Sequence, residues 1–184
     1  MSVISRIQLV DSGILNTIGN GLMFNVSWFA IVVSQSALLA ISIAIIHLVV
    51  HFRLMGRGTV EVSLIAGVSV LGIAIDQALF GAGVFTQGGI ASLPPVWMSC
   101  IWPVLATTLL HAFSGLAHRP LLAMMFGAIG GAGSYMAGTR MSDVDFGSPI
   151  MGPVIMGVLW ALLFPALLKL ANRLTNHGGN IDAN

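Results

Sequence analysis

The chain reads as all-α, a polytopic transmembrane helix bundle of about six spans with both termini cytoplasmic, and three observations lead there. Of 184 residues 57% are hydrophobic and only 7% are charged, whereas a soluble domain carries roughly 25% charged residues to face water. Apolar residues gather in runs near the ~20 needed to cross hydrocarbon, and the mean hydropathy of +0.97 agrees. Lysine and arginine also segregate to alternate connections, as described below. Six spans use about 120 residues, so the chain is a single transmembrane domain, 1–184, with no room for a separate soluble unit.

The spans fall at 14–33, 36–52, 60–83, 96–114, 120–140 and 150–172, with a polar tail at 174–184. The break at Ser34-Gln35-Ser36 is the weakest. Two spans are preferred there, because one helix across both runs would be nearly twice the thickness of the hydrocarbon core. Charge and glycine at Arg53 to Gly58 end the second span, and Gly88-Gly89 to Pro94-Pro95 separates the third from the fourth. Pro120 suits a first helical position. Asp143, Asp145 and Gly147-Ser148-Pro149 mark the last loop, and the Asn/Gly-rich tail after Arg173 is expected to be mobile. The start does not read as a cleavable signal, since Arg6 is followed by Asp11, Asn16 and Asn20.

Six spans place Arg6, Arg53, Arg57, Arg119, Lys169 and Arg173 on one side and Arg140 on the other. Cytoplasmic connections hold the excess of lysine and arginine, which assigns that side. A net charge of +1 gives no basic face for nucleic acid. A single cysteine, Cys100, allows no intrachain disulfide.

Polar and small residues at helical spacing mark inner faces, because a polar group in hydrocarbon turns towards protein. Such stripes run through Asn16, Asn20 and Ser27; Ser36, Ala40, Ala44, His47 and His51; Ser69, Gly72 and Asp76; and Cys100, Pro103, Thr107, His111 and Ser114. The fifth span carries Gly127, Gly130, Gly131, Ser134 and Gly138, which would let another helix approach closely. Two layers follow. Asn16, Asn20, His47, His51 and His111 lie towards the cytoplasm, and Asp76, Gln77, Trp102 and Tyr135 towards the outside, with Trp28 and Trp97 near the outer interface. Asp76 reads as the only acidic residue deep in a span, with a hydrogen bond expected from Tyr135 or Gln77. The candidate binding residues are Asp76, Gln77, Trp102, Tyr135, Asn20, His47, Thr107 and His111. His47, His51 and His111 have a spacing that suits imidazole ligation only weakly, so interfacial or helix-bridging roles are preferred. No catalytic residue, metal or cofactor is expected.

Pro95-Val96-Trp97-Met98, Trp102-Pro103, Ala106 to His111, His118-Arg119-Pro120 and Gly127 to Gly138, with Asn25 to Trp28 and Asp76, carry a resemblance. Together they resemble an uncharacterised family of small multi-pass bacterial inner-membrane proteins, known only as a domain of unknown function, over about residues 20–172. Gly130-Gly131-Ala132 stands where Gly-Gly-Pro fits the pattern. The resemblance implies a bacterial inner membrane and about six spans, and no activity.

Three functions compete. Handling or transport of a small molecule, lipid or ion through a polar interior ranks first, and an accessory or assembly subunit of a membrane complex second. A membrane enzyme acting on a lipid or quinone through His111, Thr107 and Asp76 ranks third, because Asp76 and His111 lie in opposite halves. No phosphate-binding loop, dinucleotide fingerprint or metalloprotease pattern occurs. The expected partners are the lipid bilayer, a second copy of the chain, or a membrane-complex subunit.

Overall fold

The computed structural model describes residues 3–90 and 93–181, with side chains described over 13–90 and 93–176. Helix α1 spans Val3–Ser34, α2 Ala37–Leu54 and α3 Thr59–Gly81. The turn between α1 and α2 is real. Gln35 takes a positive φ of 49°, and the Ser36 hydroxyl accepts from the Leu39 N–H as the α2 cap. After α3 comes a short strand β1, Phe85–Gln87. The fifth span is one run with an internal change of pitch: α6, Pro120–Phe126, then a π-helical turn at Gly127–Gly131, then α7, Ala132–Met141. Pro120 opens it as expected. Strand β2, Val144–Phe146, pairs antiparallel with β1, a small clasp absent from the all-helical expectation. The last helix, α8, spans Met151–Ile181 and carries Pro165 inside it. Much of the expected polar tail therefore continues the helix, and 182–184 lie outside the described residues.

Among the described residues five helical stretches are long and apolar enough to cross a membrane. The fourth predicted span, 96–114, is not a sixth helix of that kind. It breaks into α4, Val96–Ser99, and α5, Ile101–Ala106, followed by turns whose amides bond three residues back. Thr108 N–H donates to Leu105 O at 2.9 Å, Leu109 N–H to Ala106 O at 3.3 Å, and His111 N–H to Thr108 O at 3.2 Å. Irregular backbone at membrane depth survives only when protein surrounds it, and Ala106 through His111 are all buried.

The stretch has a mechanical reason. Trp102 bonds Asp76 and His111 bonds Glu61. Asp76 and Glu61 lie about 22 Å apart along α3 at 1.5 Å per residue. Nine residues of α-helix from Trp102 to His111 would advance only about 13 Å, and the tighter 3₁₀ winding about 18 Å. Unwinding into i to i+3 turns helps the segment reach both partners. It crosses the bundle antiparallel to α3, as a sixth and broken span.

The outward surface is apolar, with Leu22, Val26, Leu38, Ile46, Val62, Val70, Ile129, Val154 and Leu162 all exposed. A hydrophobic coat of this kind has no stable place in water. The protein is a multi-pass membrane protein.

Candidate functional site

The stripe on α2 turns inward as its spacing predicted, with Ala40, Ala44, His47 and His51 all buried. Its two histidines enter a network that joins α1, α2, α3 and the broken span. The Thr107 hydroxyl donates to Val104 O at 2.8 Å, so it accepts from His47 Nε2–H at 3.0 Å. That leaves His47 Nδ1 to accept from the Ser27 hydroxyl at 2.9 Å. Asn20, fully buried, reaches both His51 Nδ1 and Thr107 O at 3.4 Å, and its Oδ1 accepts the Ala112 N–H at 3.3 Å.

At the centre stands Glu61, with 0% of its surface exposed. Its Oε1 accepts from His51 Nε2 and His111 Nε2, each at 2.9 Å. Its Oε2 accepts the Arg57 N–H at 2.7 Å. The local reason is helix capping. Gly58 at the α3 N-cap has a φ of 82° and offers no side chain. Glu61, three residues on, reaches back to a free amide just before the helix, as capping-box glutamates do, and its negative charge suits the helix N-terminus. Asp76, read as the only acidic residue deep in a span, is thus joined by a second fully buried acid at a span end. Glu61 sits at the start of α3, near enough to the span boundary to read as interfacial. One signal was available, because His51 and Glu61 stand equidistant from Gly56, the centre of the α2–α3 hairpin.

The second layer surrounds Asp76, also 0% exposed. Its hydrogen bond comes from Trp102 Nε1 at 2.7 Å, not from Tyr135 or Gln77. Gln77 is exposed, since a residue beside Asp76 in sequence points about 100° around the helix. Asn16 is exposed as well. The Trp102 indole lies against Gly72, where a Cβ would come within 1.8 Å of the ring, and it stacks on Trp160 at 5.7 Å.

Beside this layer lies a half-open cleft of about 470 Å³ between α1, the broken span, α6–α7 and α8. All four tryptophans (Trp28, Trp97, Trp102 and Trp160) and the single tyrosine, Tyr135, line it. From the fifth span Gly127, Gly130, Gly131, Ser134 and Gly138 line it as well. Gln35 Nε2 donates to Met141 O at 3.1 Å and ties α1 to the end of α7. Trp97 Nε1 and Trp160 Nε1 are buried without a hydrogen-bond acceptor, a costly state for a buried donor. The Tyr135 hydroxyl lies near Trp160 but outside hydrogen-bond geometry.

The predicted site residues therefore divide. Asn20, His47, Thr107 and His111 meet in one buried cluster, together with Glu61, which the pattern missed. Asp76 and Trp102 meet in the other, with Tyr135 on the cleft wall. Gln77 joins neither.

Fold and interior define a class: a small multi-pass membrane bundle with a buried histidine–glutamate cluster at one depth and an aromatic cleft at the other. The family model described as "Protein of unknown function (DUF2878)" matches residues 17–166, and the chain belongs to that family. No curated protein and no solved structure matches the chain.

Proposed function

We propose that the protein takes up a small amphipathic or apolar molecule from the bilayer into the aromatic cleft and handles it there, as a carrier of such molecules would. The observation that carries this reading is the concentration of every tryptophan and the only tyrosine on one cavity wall. The cleft's size lies within the ~300–1,000 Å³ typical of small-molecule sites. Its wall is mainly apolar, and a ligand carbonyl or other acceptor within reach of the Trp97 or Trp160 N–H would recover part of the cost of burying them.

The tryptophans supply the assay. Purified protein titrated in mild detergent with a long-chain fatty acid, a short-chain quinone and a phospholipid should show saturable change in tryptophan fluorescence with at least one of them. Gly130→Phe should abolish that change, since a Cβ at Gly130 meets only the Phe126 ring, at an ordinary 3.8 Å, and a ring there projects into the cleft. A folded wild type that responds saturably to none of the three, or a Gly130→Phe variant that responds equally, would reject the reading.

The proposed setting is a bacterial inner membrane with both termini cytoplasmic, supported by the six-to-one charge bias. Alkaline phosphatase fused after Gly89 should then be active, and fused after Arg57 inactive. The reverse pattern would overturn the orientation.

A further inference from the structure

We propose that His51, Glu61 and His111 form a binding site for a divalent first-row transition-metal ion of the zinc or iron class. This goes beyond the reading of the aromatic cleft and stands independently of it.

The three donor atoms come from the end of α2, the start of α3 and the broken span, so no contiguous motif announces them. They lie within 4.8 Å of one another, and all three residues are buried. Two imidazoles and a carboxylate make a donor set that divalent zinc and iron accept. With metal–ligand bonds of about 2.0–2.1 Å, tetrahedral ligands stand about 3.3 Å apart. Both nitrogens are now 2.9 Å from Glu61 Oε1. To admit an ion each of those edges opens by about half an ångström, and the nitrogen–nitrogen edge, within 4.8 Å, closes towards about 3.3 Å through rotation of the imidazole side chains.

The surroundings are those of a ligand set. Glu61 is oriented through its other oxygen by the Arg57 N–H. His51 Nδ1 faces the Asn20 carboxamide. Binding replaces the two Nε2 protons that Glu61 now accepts with one cation. Neutral rings only shift tautomer, so they release no proton. Three protein ligands leave a coordination position for water or a substrate group. His47 is not a ligand, because both its nitrogens are committed to Ser27 and Thr107.

The test uses the full chain, purified in detergent and stripped with a chelator. Zn²⁺ alone and Co²⁺ alone are titrated in, with bound metal counted by elemental analysis and the visible Co²⁺ spectrum recorded. The expected result is one ion per chain at micromolar metal, with a Co²⁺ band intensity of four- or five-coordination. His47→Gln should retain the ion, while Glu61→Gln and His111→Gln lose it and still elute as single species. Stripped wild type that takes up neither ion would overturn the proposal and leave a hydrogen-bonded cluster. So would Glu61→Gln binding as tightly as wild type. Should both variants fail to fold, the wild-type stoichiometry and spectrum decide alone.

Discussion

Glu61→Ala is expected to destabilise the bundle by at least about 3 kcal/mol, since each buried donor left without an acceptor costs about 1–3 kcal/mol. The size follows from what is left behind. His51 Nε2, His111 Nε2 and the Arg57 N–H all donate to this one carboxylate, and alanine leaves all three without an acceptor in a site that water does not reach. Glu61→Gln keeps the shape and one carbonyl oxygen, so its loss should be smaller. Thermal melts in one detergent, read by loss of monodispersity, separate the two variants from wild type. An unchanged melting temperature for Glu61→Ala would mean that the cluster contributes nothing to holding α2, α3 and the broken span together.

Gly127→Ala should cost at least the roughly 1–3 kcal/mol of an overpacked core. A Cβ at Gly127 would lie 2.3 Å from the Trp160 carbonyl oxygen and 2.8 Å from Phe164 Cβ. A helix backbone carbonyl cannot swing aside as a flexible side chain can, so α8 must move away. The same substitution at Gly133, six residues further along the span, meets nothing within 4 Å. There alanine should be neutral or stabilising, by up to about 1 kcal/mol from helix propensity. A clear loss at Gly127 and none at Gly133, for one chemical change on one span, is the expected result in melts of the two variants. Equal tolerance would show that α8 does not pack on Gly127 as described.

These glycines show how far a pattern reaches. The stripe Gly127, Gly131, Ser134 and Gly138 was legible as a small-residue face, and Gly127 and Gly131 do meet Trp160 on α8. The pitch changes within it, however. A π turn falls at Gly127–Gly131, and although Gly127, Gly131, Ser134 and Gly138 all line the cleft, only the first two press on α8, while a Cβ at Gly138 meets nothing. A stripe drawn at constant period cannot carry that change of pitch. The fourth span fails in the same way, where i to i+3 turns bury six successive residues, Ala106 to His111, that a regular helix would distribute around its circumference.

Composition and hydropathy by themselves determined that this chain is a multi-pass membrane protein, and the spacing of polar residues showed which faces of α2 and α3 turn inward. Those properties depend on transfer from water to hydrocarbon and on the 3.6-residue period, both of which act locally along the chain. Only the tertiary structure decided who meets whom. It paired Asp76 with Trp102 in place of its sequence neighbour Gln77, exchanged His47 for Glu61 beside His51 and His111, and gathered four tryptophans from three separate stretches of chain onto one cleft. The reason is physical: a buried polar group is satisfied by whichever donor the packing brings within about 3 Å, and packing across helices leaves no periodic trace in the sequence of any one of them.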